Sequence, residues 1–214
     1  MSRKEGPKQA LFEQLALLAR SLGSPARLEL LDFLAQGERT VESLAKVSGL
    51  SMANTSKHLQ QLRQAGLVEA RREGVHIHYR MSGDDVLDVI DRLRTLAQSR
   101  LAEVESMVSS YLKQRDDLEA VAADDLMERT KGGLVSLIDV RPAEEFVQGH
   151  LPGAINLPLT DLENHLDMLP QERDVVAYCR GPWCVLAYVA VSLLRKRGFR
   201  ARRLEGGLPE WRHD

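Results

Sequence analysis

Tyr178-Cys179-Arg180-Gly181-Pro182-Trp183-Cys184 lies between two apolar runs, Val175-Val176-Ala177 before it and Val185-Leu186-Ala187-Tyr188-Val189-Ala190-Val191 after it. The pattern predicts a strand, a tight turn carrying Gly and Pro, and a helix. The turn holds Cys179 and Cys184, the only two cysteines of the chain. A thiol at the head of such a turn faces backbone amides and a helix N-terminus, which favour an anion and hence a thiolate. The stretch therefore points to sulfur chemistry and to an α/β environment.

Working outward, the same texture extends over residues 124–214. Leu134–Val140 predicts a strand and Pro142-Ala143-Glu144-Glu145 a helix start. Ile155-Asn156-Leu157 predicts a short strand, and Thr160 with Glu163 three residues on predicts a helix to about Met168. Strand Val175–Tyr178, helix Cys184–Arg197 and strand Ala201–Leu204 follow. Strands alternating with helices imply a small parallel sheet.

The first half reads differently. Leu11, Leu15, Leu18 and Leu22 share one helical face. Ser24-Pro25 opens a second helix that Gly37 stops, Thr40 caps a third that ends at Gly49, and Ser51 caps a fourth that stops at Gly66. Leu67–Arg72 and Val75–Met81, joined at Glu73-Gly74, predict a hairpin. Ser82, with Asp85 three residues on, opens a helix of nearly 30 residues. Its stripe runs through Val86, Val89, Ile90, Leu93, Leu96, Ala97, Leu101, Val104, Val108 and Tyr111. A single apolar face of that length in so small a domain predicts burial against a second subunit.

Four helices and a hairpin make a winged helix-turn-helix. The expected organisation is thus multidomain: a mainly α winged helix-turn-helix domain at 1–113, a polar, Ala-rich linker at 114–123, and a small α/β domain at 124–214. The formal net charge of -2 hides a local basic footprint. Residues 51–82 carry five basic against two acidic side chains, as expected where one element meets phosphate.

The wording Ser24-Pro25-Ala26-Arg27-Leu28-Glu29-Leu30-Leu31, Ser51–Leu59, Leu62–Val68 and Tyr79-Arg80 resembles the ArsR family of bacterial repressors over residues 10–112. The resemblance implies a homodimer on double-stranded operator DNA. The exposed N-terminal face of the fourth helix, with Ser51, Met52, Ala53, Asn54, Ser56 and Lys57, supplies the expected base readers. Arg71, Arg72 and Arg80 on the wing are expected at phosphates or in the minor groove. His58 has two readings, a DNA contact or a satisfied structural histidine. Many relatives sense metals through cysteines on the third helix or His, Asp and Glu on the last. Here the third helix, Val41–Ser48, has neither Cys nor His, and no His occurs between His78 and His150. No metal and no cofactor are expected, so a sensor must lie elsewhere.

Residues 124–214 resemble a rhodanese domain in four ordered pieces: Ile138–Arg141, Gly149–Pro158, Tyr178–Gly181 and Leu204–Gly207, with Trp211 beyond. This implies that Cys179 is the nucleophile, taking a sulfane sulfur as a persulfide. Arg180 and the loop amides, Gly181 included, are expected to lower its pKa. Asp139 and Arg141 are expected to brace the loop, His150 is expected to be structural, and Trp183 either shields the site or packs. Many active rhodaneses carry a basic residue where this chain has Cys184. Cys184 is then either a resolving thiol, closing a disulfide or polysulfide bridge, or a small buried hydrophobe. Arsenic chemistry is disfavoured, since trivalent arsenic usually wants three thiols.

No export signal or membrane span is apparent, and two thiols five positions apart are no secreted disulfide framework, so a cytoplasmic protein is expected. The sequence therefore carries two functions. The first is a repressor that senses a small sulfur donor (polysulfide, persulfide or thiosulfate) or an oxidant through Cys179 with Cys184. The second is a sulfurtransferase localised or dimerised by its DNA-binding half.

Overall fold

The structure, a computed structural model, describes residues 6–113, 120–122, 126 and 133–213; residues 114–119 and 123 of the expected linker lie outside these. The chain divides into two compact units, residues 1–90 and 91–214.

In the first unit, helices α1 (Pro7–Leu22), α2 (Pro25–Ala35), α3 (Val41–Ser48) and α4 (Met52–Gln64) are followed by strands β2 (Val68–Glu73) and β3 (His76–Met81). The Thr40 side chain accepts from the Ser43 N–H at 3.2 Å and Ser51 from the Asn54 N–H at 3.3 Å, so α3 and α4 each begin on a side-chain cap. Gly49, with φ 69°, turns the chain between them. Arg27 ties three helices together, donating to Ser21 O and Arg20 O of α1 and to Gln61 Oε1 of α4. Leu30, Leu31, Leu44, Leu59 and Leu62 are fully buried at the centre. Each such leucine contributes about 1.5–3 kcal/mol relative to exposure.

The sequence carries no signal for β1 (Arg39–Thr40), a two-residue strand that pairs with β3 and gives the antiparallel order β1-β3-β2. The hairpin turn is Gly74-Val75 rather than Glu73-Gly74. Glu73 is the last β2 residue and pairs with His76, and Gly74 has φ 60°, which favours glycine. Ser82 does not cap α5 (Asp84–Arg100); its hydroxyl donates to Gly66 O at 2.7 Å instead.

The expected long helix is not continuous. It breaks at Leu101, which is extended (φ -107°, ψ 105°), before α6 (Ala102–Met107) and a π-helical turn at Val108–Lys113. No Pro or Gly marks the break, so nothing in the sequence announced it.

The second unit contains β4 (Val135–Asp139), α7 (Ala143–Gln148), β5 (Ile155–Asn156), β6 (Asp174–Tyr178), α8 (Val185–Lys196), β7 (Ala201–Arg203) and α9 (Leu208–His213). The sheet is wholly parallel, in the order β5-β4-β6-β7. Val175 and Ala177 of β6, with Cys179 beyond it, face one core with Ala190, Val191 and Leu194 of α8. Val176 and Tyr178 face the other, with Leu137, Leu151, Leu204 and Leu208. Burial on both faces explains why this strand reads as a continuous apolar run. The expected helix from Thr160 is instead a 3-10 segment, Leu162–Met168, kinked at His165. Thr160 bonds Asp161, and Glu163 pairs with Arg197 at 2.7 Å, so neither residue builds a cap. The terminal helix α9 is also additional to the expected elements.

Candidate functional site

β4 and β6 lie side by side, with Asp139 paired to Tyr178 at their C-terminal ends. After β4 the next strand lies on one side of it, and β6 on the other, so this edge is the topological switch point where α/β sheets place ligands. The loop Cys179–Cys184 leaves β6 at this place.

Three braces order the strand ends and turns around the loop. The first is fully buried: Arg141 donates to both carboxylate oxygens of Asp139 and, at 2.8 Å, to Gly149 O. The Arg141 N–H also donates to Asp139 Oδ1 at 3.0 Å, and Asn156 Nδ2 donates to the carbonyls of both residues. The second brace is Tyr178, whose hydroxyl accepts from the Leu151 N–H at 3.0 Å; burial pushes its pKa well up and keeps it neutral. The third is Gly207. A Cβ there would lie 2.5 Å from Arg180 C and Gly181 N, so only glycine lets the β7–α9 turn approach the loop this closely. The Gly207 N–H donates to Glu210 Oε2 at 2.8 Å, and the Leu208 N–H to Cys179 O at 3.4 Å.

Two expectations about the thiols are overturned. The Arg180 charge acts on Cys184 rather than chiefly on Cys179, and its guanidinium is held by a carboxylate. It grips the buried carboxylate of Glu145 on α7, with Nε 3.0 Å from Oε2 and Nη2 2.7 Å from Oε1. Glu145 was not singled out from the sequence, where it reads as an ordinary acidic residue in a first helical turn.

At Cys179 the lowering effect of the amides of Gly181 and Ala187 is outweighed. Burial is the main cause that pushes this thiol well above its ordinary value, followed by the hydrogen bond to Cys184 and the charge there. Cys179 is only 1% exposed. Its Sγ donates to Cys184 O at 3.3 Å and lies 4.0 Å from Gly181 O, so carbonyls as well as amides face the sulfur.

Cys184 is the one held low, to about 6. The hydrogen bond from Cys179 is the leading cause, and the amides of Arg180 and Leu186 and the nearby Arg180 charge act in the same sense against burial. It is half-buried at the N-cap position of α8, where the helix dipole favours negative charge. The two thiols thus neighbour each other, with burial disfavouring a negative charge on the inner one. No disulfide joins them.

Two other residues considered in this unit, Trp183 and His150, are both exposed. Trp183 is 42% exposed. His150 stacks on Phe146, with ring centroids 3.8 Å apart, and its Nδ1 lies 3.0 Å from Phe146 O.

In the first unit, Ser51, Met52, Ala53, Asn54 and Lys57 are exposed at the start of α4, while Ser56 and His58 are half-buried. The Ser51 hydroxyl is engaged in the cap. His58 Nδ1 is buried without a hydrogen-bond partner. On the wing, Arg71 pairs with Glu38 at 2.6 Å and Glu73 at 2.7 Å, Arg80 pairs with Glu69 at 2.6 Å, and Arg72 Nε donates to Gly74 O. Exposed pairs of this kind are weak, about 0–1 kcal/mol, and exchange readily for phosphate. Among the described residues no cluster of three or more His, Cys, Asp or Glu is arranged to hold a metal ion.

Comparison with known proteins agrees with both halves. The bacterial regulatory protein family of the arsR type matches residues 24–70, and the rhodanese-like domain family matches residues 122–214. An HTH-type transcriptional regulator of Mycobacterium tuberculosis is 42% identical over 212 residues, spanning 99% of this chain and 93% of its own. A sulfurtransferase of Allochromatium vinosum is 37% identical over 78 residues, 36% of this chain and 71% of its own. A homodimeric winged helix-turn-helix DNA-binding domain of Mycobacterium bovis, solved in solution, is 40% identical and covers 47% of this chain and 94% of its own, with a TM-score of 0.43. The chain belongs to the ArsR family of bacterial helix-turn-helix regulators, as a member that carries a rhodanese-like domain behind its DNA-reading domain.

Proposed function

We propose that this regulator is a homodimeric repressor whose operator affinity is set by modification of the Cys179–Cys184 pair by a sulfane-sulfur donor or an oxidant. The observation that carries the reading is a pair of free thiols at the two ends of one loop, one buried and one half-buried, at the C-terminal edge of the sheet. A thiolate with a second thiol in contact is arranged to close a bond and stop, which suits a switch better than repeated turnover.

The dimer is supported by apolar side chains left in solvent. Leu11 is 71% exposed on α1 and Leu96 55% on α5, with Phe12, Leu15, Val89 and Leu93 also exposed. Faces of this kind mark association surfaces. DNA recognition rests on the exposed start of α4, with Asn54 and Lys57 as its base and phosphate readers and the wing arginines at the backbone. Among the described residues no helix is long and apolar enough to cross a membrane. The proposed place of action is the cytoplasm, where thiols start out reduced.

The similarity to a sulfurtransferase supports a second reading, persulfide transfer from the same loop. Operator binding by wild type, Cys179→Ser and Cys184→Ser, each with and without polysulfide, separates the two. A change in affinity in wild type that both variants lose supports the switch. Rapid multiple turnover of a sulfur donor, with operator affinity untouched, would leave the enzyme reading in its place.

A further inference from the structure

We infer that His78 on the wing is a positioning residue for Arg71 that works by protonation. Once protonated, it takes over the two carboxylates that clasp Arg71 and so frees the arginine for the DNA backbone. The inference rests on the reading that puts the wing arginines at phosphate, and it names what governs one of them.

The geometry carries it. Arg71 of β2 and His78 of β3 are direct cross-strand partners. Both face the same two oxygens. Arg71 Nη2 donates to Glu38 Oε1 at 2.6 Å, and Nη1 donates to Glu73 Oε2 at 2.7 Å. His78 Nδ1 lies 3.4 Å from that Glu38 oxygen, and Nε2 lies 3.8 Å from that Glu73 oxygen. One arginine and one histidine thus compete for one pair of carboxylates. Strand register brings them together. Glu38 precedes β1, whose Thr40 pairs with His78, and Glu73 stands two residues after Arg71 on the same face of β2.

A neutral imidazole has one N–H, so one nitrogen donates and the other turns a lone pair toward an anion. Arg71 then carries the cluster alone. The hydrogen bond and charge of Arg71 hold Glu73 below the ordinary carboxylate range, with the charge of His78 acting in the same sense. Protonation makes both ring nitrogens donors, and histidine is the side chain that changes charge near neutral pH. The carboxylates gain a second cation, so Arg71 is held less firmly, and a phosphate oxygen can take their place as its acceptor. DNA binding therefore takes up a proton, and affinity rises as pH falls.

The neighbouring groups leave this pairing intact. His76, on the same face of β3, lies 3.9 Å from Glu42 Oε2 of α3. Tyr79 turns to the other face and joins the buried core. The Arg71 side chain is 56% exposed and that of His78 24%, so the arginine is the one placed to meet a phosphate.

Fluorescence anisotropy with the reduced full-length protein and a labelled mixed-sequence DNA duplex provides the test, because sequence-independent binding reads phosphate contacts. Salt is held low and constant while pH is lowered from about 8 to about 6, the range over which histidine titrates. Wild-type affinity is expected to rise about threefold to fivefold, the scale of one exposed ion pair. His78→Gln is expected to lose most of that rise. Glu38→Gln/Glu73→Gln, in which the clasp is gone, is expected to bind more tightly than wild type at the high end and to vary little with pH. Arg71→Ala is expected to bind more weakly at the low end and to lose the rise as well.

An equal rise in wild type and His78→Gln overturns the inference. So does a rise that persists in Glu38→Gln/Glu73→Gln, because the His78 charge would then act on phosphate directly. Each variant decides by itself, so poor folding of one leaves the test standing. Arg71→Ala that matches wild type at both ends removes the reading of the wing at phosphate. Weaker binding by Arg71→Ala, with the same pH slope in every variant, leaves that reading and removes the clasp alone.

Discussion

The Arg180 guanidinium and the Glu145 carboxylate form a bidentate ion pair that locks the thiol loop to α7, with Glu145 almost wholly buried. Replacing Glu145 by Gln leaves a partly buried cation without its counter-charge. A loss of about 3 kcal/mol is expected, at the low end for broken buried pairs because Arg180 is partly exposed. Urea unfolding checks the magnitude. The same change removes a negative charge that offsets Arg180, and a thiolate is favoured by net positive surroundings. The Cys184 alkylation rate, expected to rise through about 6 in wild type, should therefore rise at lower pH in Glu145→Gln. A profile moved upward would mean that Arg180 does not act on the sulfur.

Gly207→Ala places a methyl group 2.5 Å from the backbone of Arg180 and Gly181, where no flexible side chain can yield. The loop or the β7–α9 turn must move. The expected cost is about 1–3 kcal/mol, the range of overpacking. Disulfide closure between Cys179 and Cys184 is also expected to slow, because its geometry is demanding. Thermal unfolding and timed alkylation together measure both effects. Unchanged closure kinetics would show that the turn supports stability alone.

On DNA, Asn54→Ala and Lys57→Ala are expected to fail differently. Loss of Asn54 should cost about 1–3 kcal/mol on one operator base and relax specificity there. Loss of Lys57 should weaken all sequences similarly and reduce the salt slope of log K by about 1. Fluorescence anisotropy against operator variants over a range of salt separates these outcomes. Equal salt slopes for wild type and Lys57→Ala would place Lys57 away from phosphate.

Leu15→Glu or Leu96→Glu introduces a charge into an apolar face that is exposed in the monomer. Monomer stability should change little, since surface substitutions usually stay within about 0.5 kcal/mol. The dimer should dissociate, and operator affinity should fall because two half-sites are no longer bound together. Sedimentation velocity measures the first effect directly. A dimer that persists in both variants would put the interface elsewhere.

Much of this protein was determined by local sequence. The helix caps Thr40 and Ser51, the Gly49 turn and the strand–turn–helix around Cys179 depend on neighbours within a few residues, and they stand as read. The parallel sheet followed from strand–helix alternation, and the family from spaced motifs in each half. What the tertiary structure alone decided depends on partners distant in the chain. Glu145 takes Arg180 from 35 residues away, and Gly66 takes the Ser82 hydroxyl that sequence assigns to a cap. Leu101 interrupts a helix that no residue type marks. Above all, the sequence shows two thiols in one loop without saying which carries the charge. Burial penalises a charge on Cys179, while contact with Cys179 is the leading cause that lowers Cys184. The fold seals Cys179 beneath the loop and leaves Cys184 nearer the solvent at a helix N-terminus, and burial is a property of the packed structure rather than of the residues themselves.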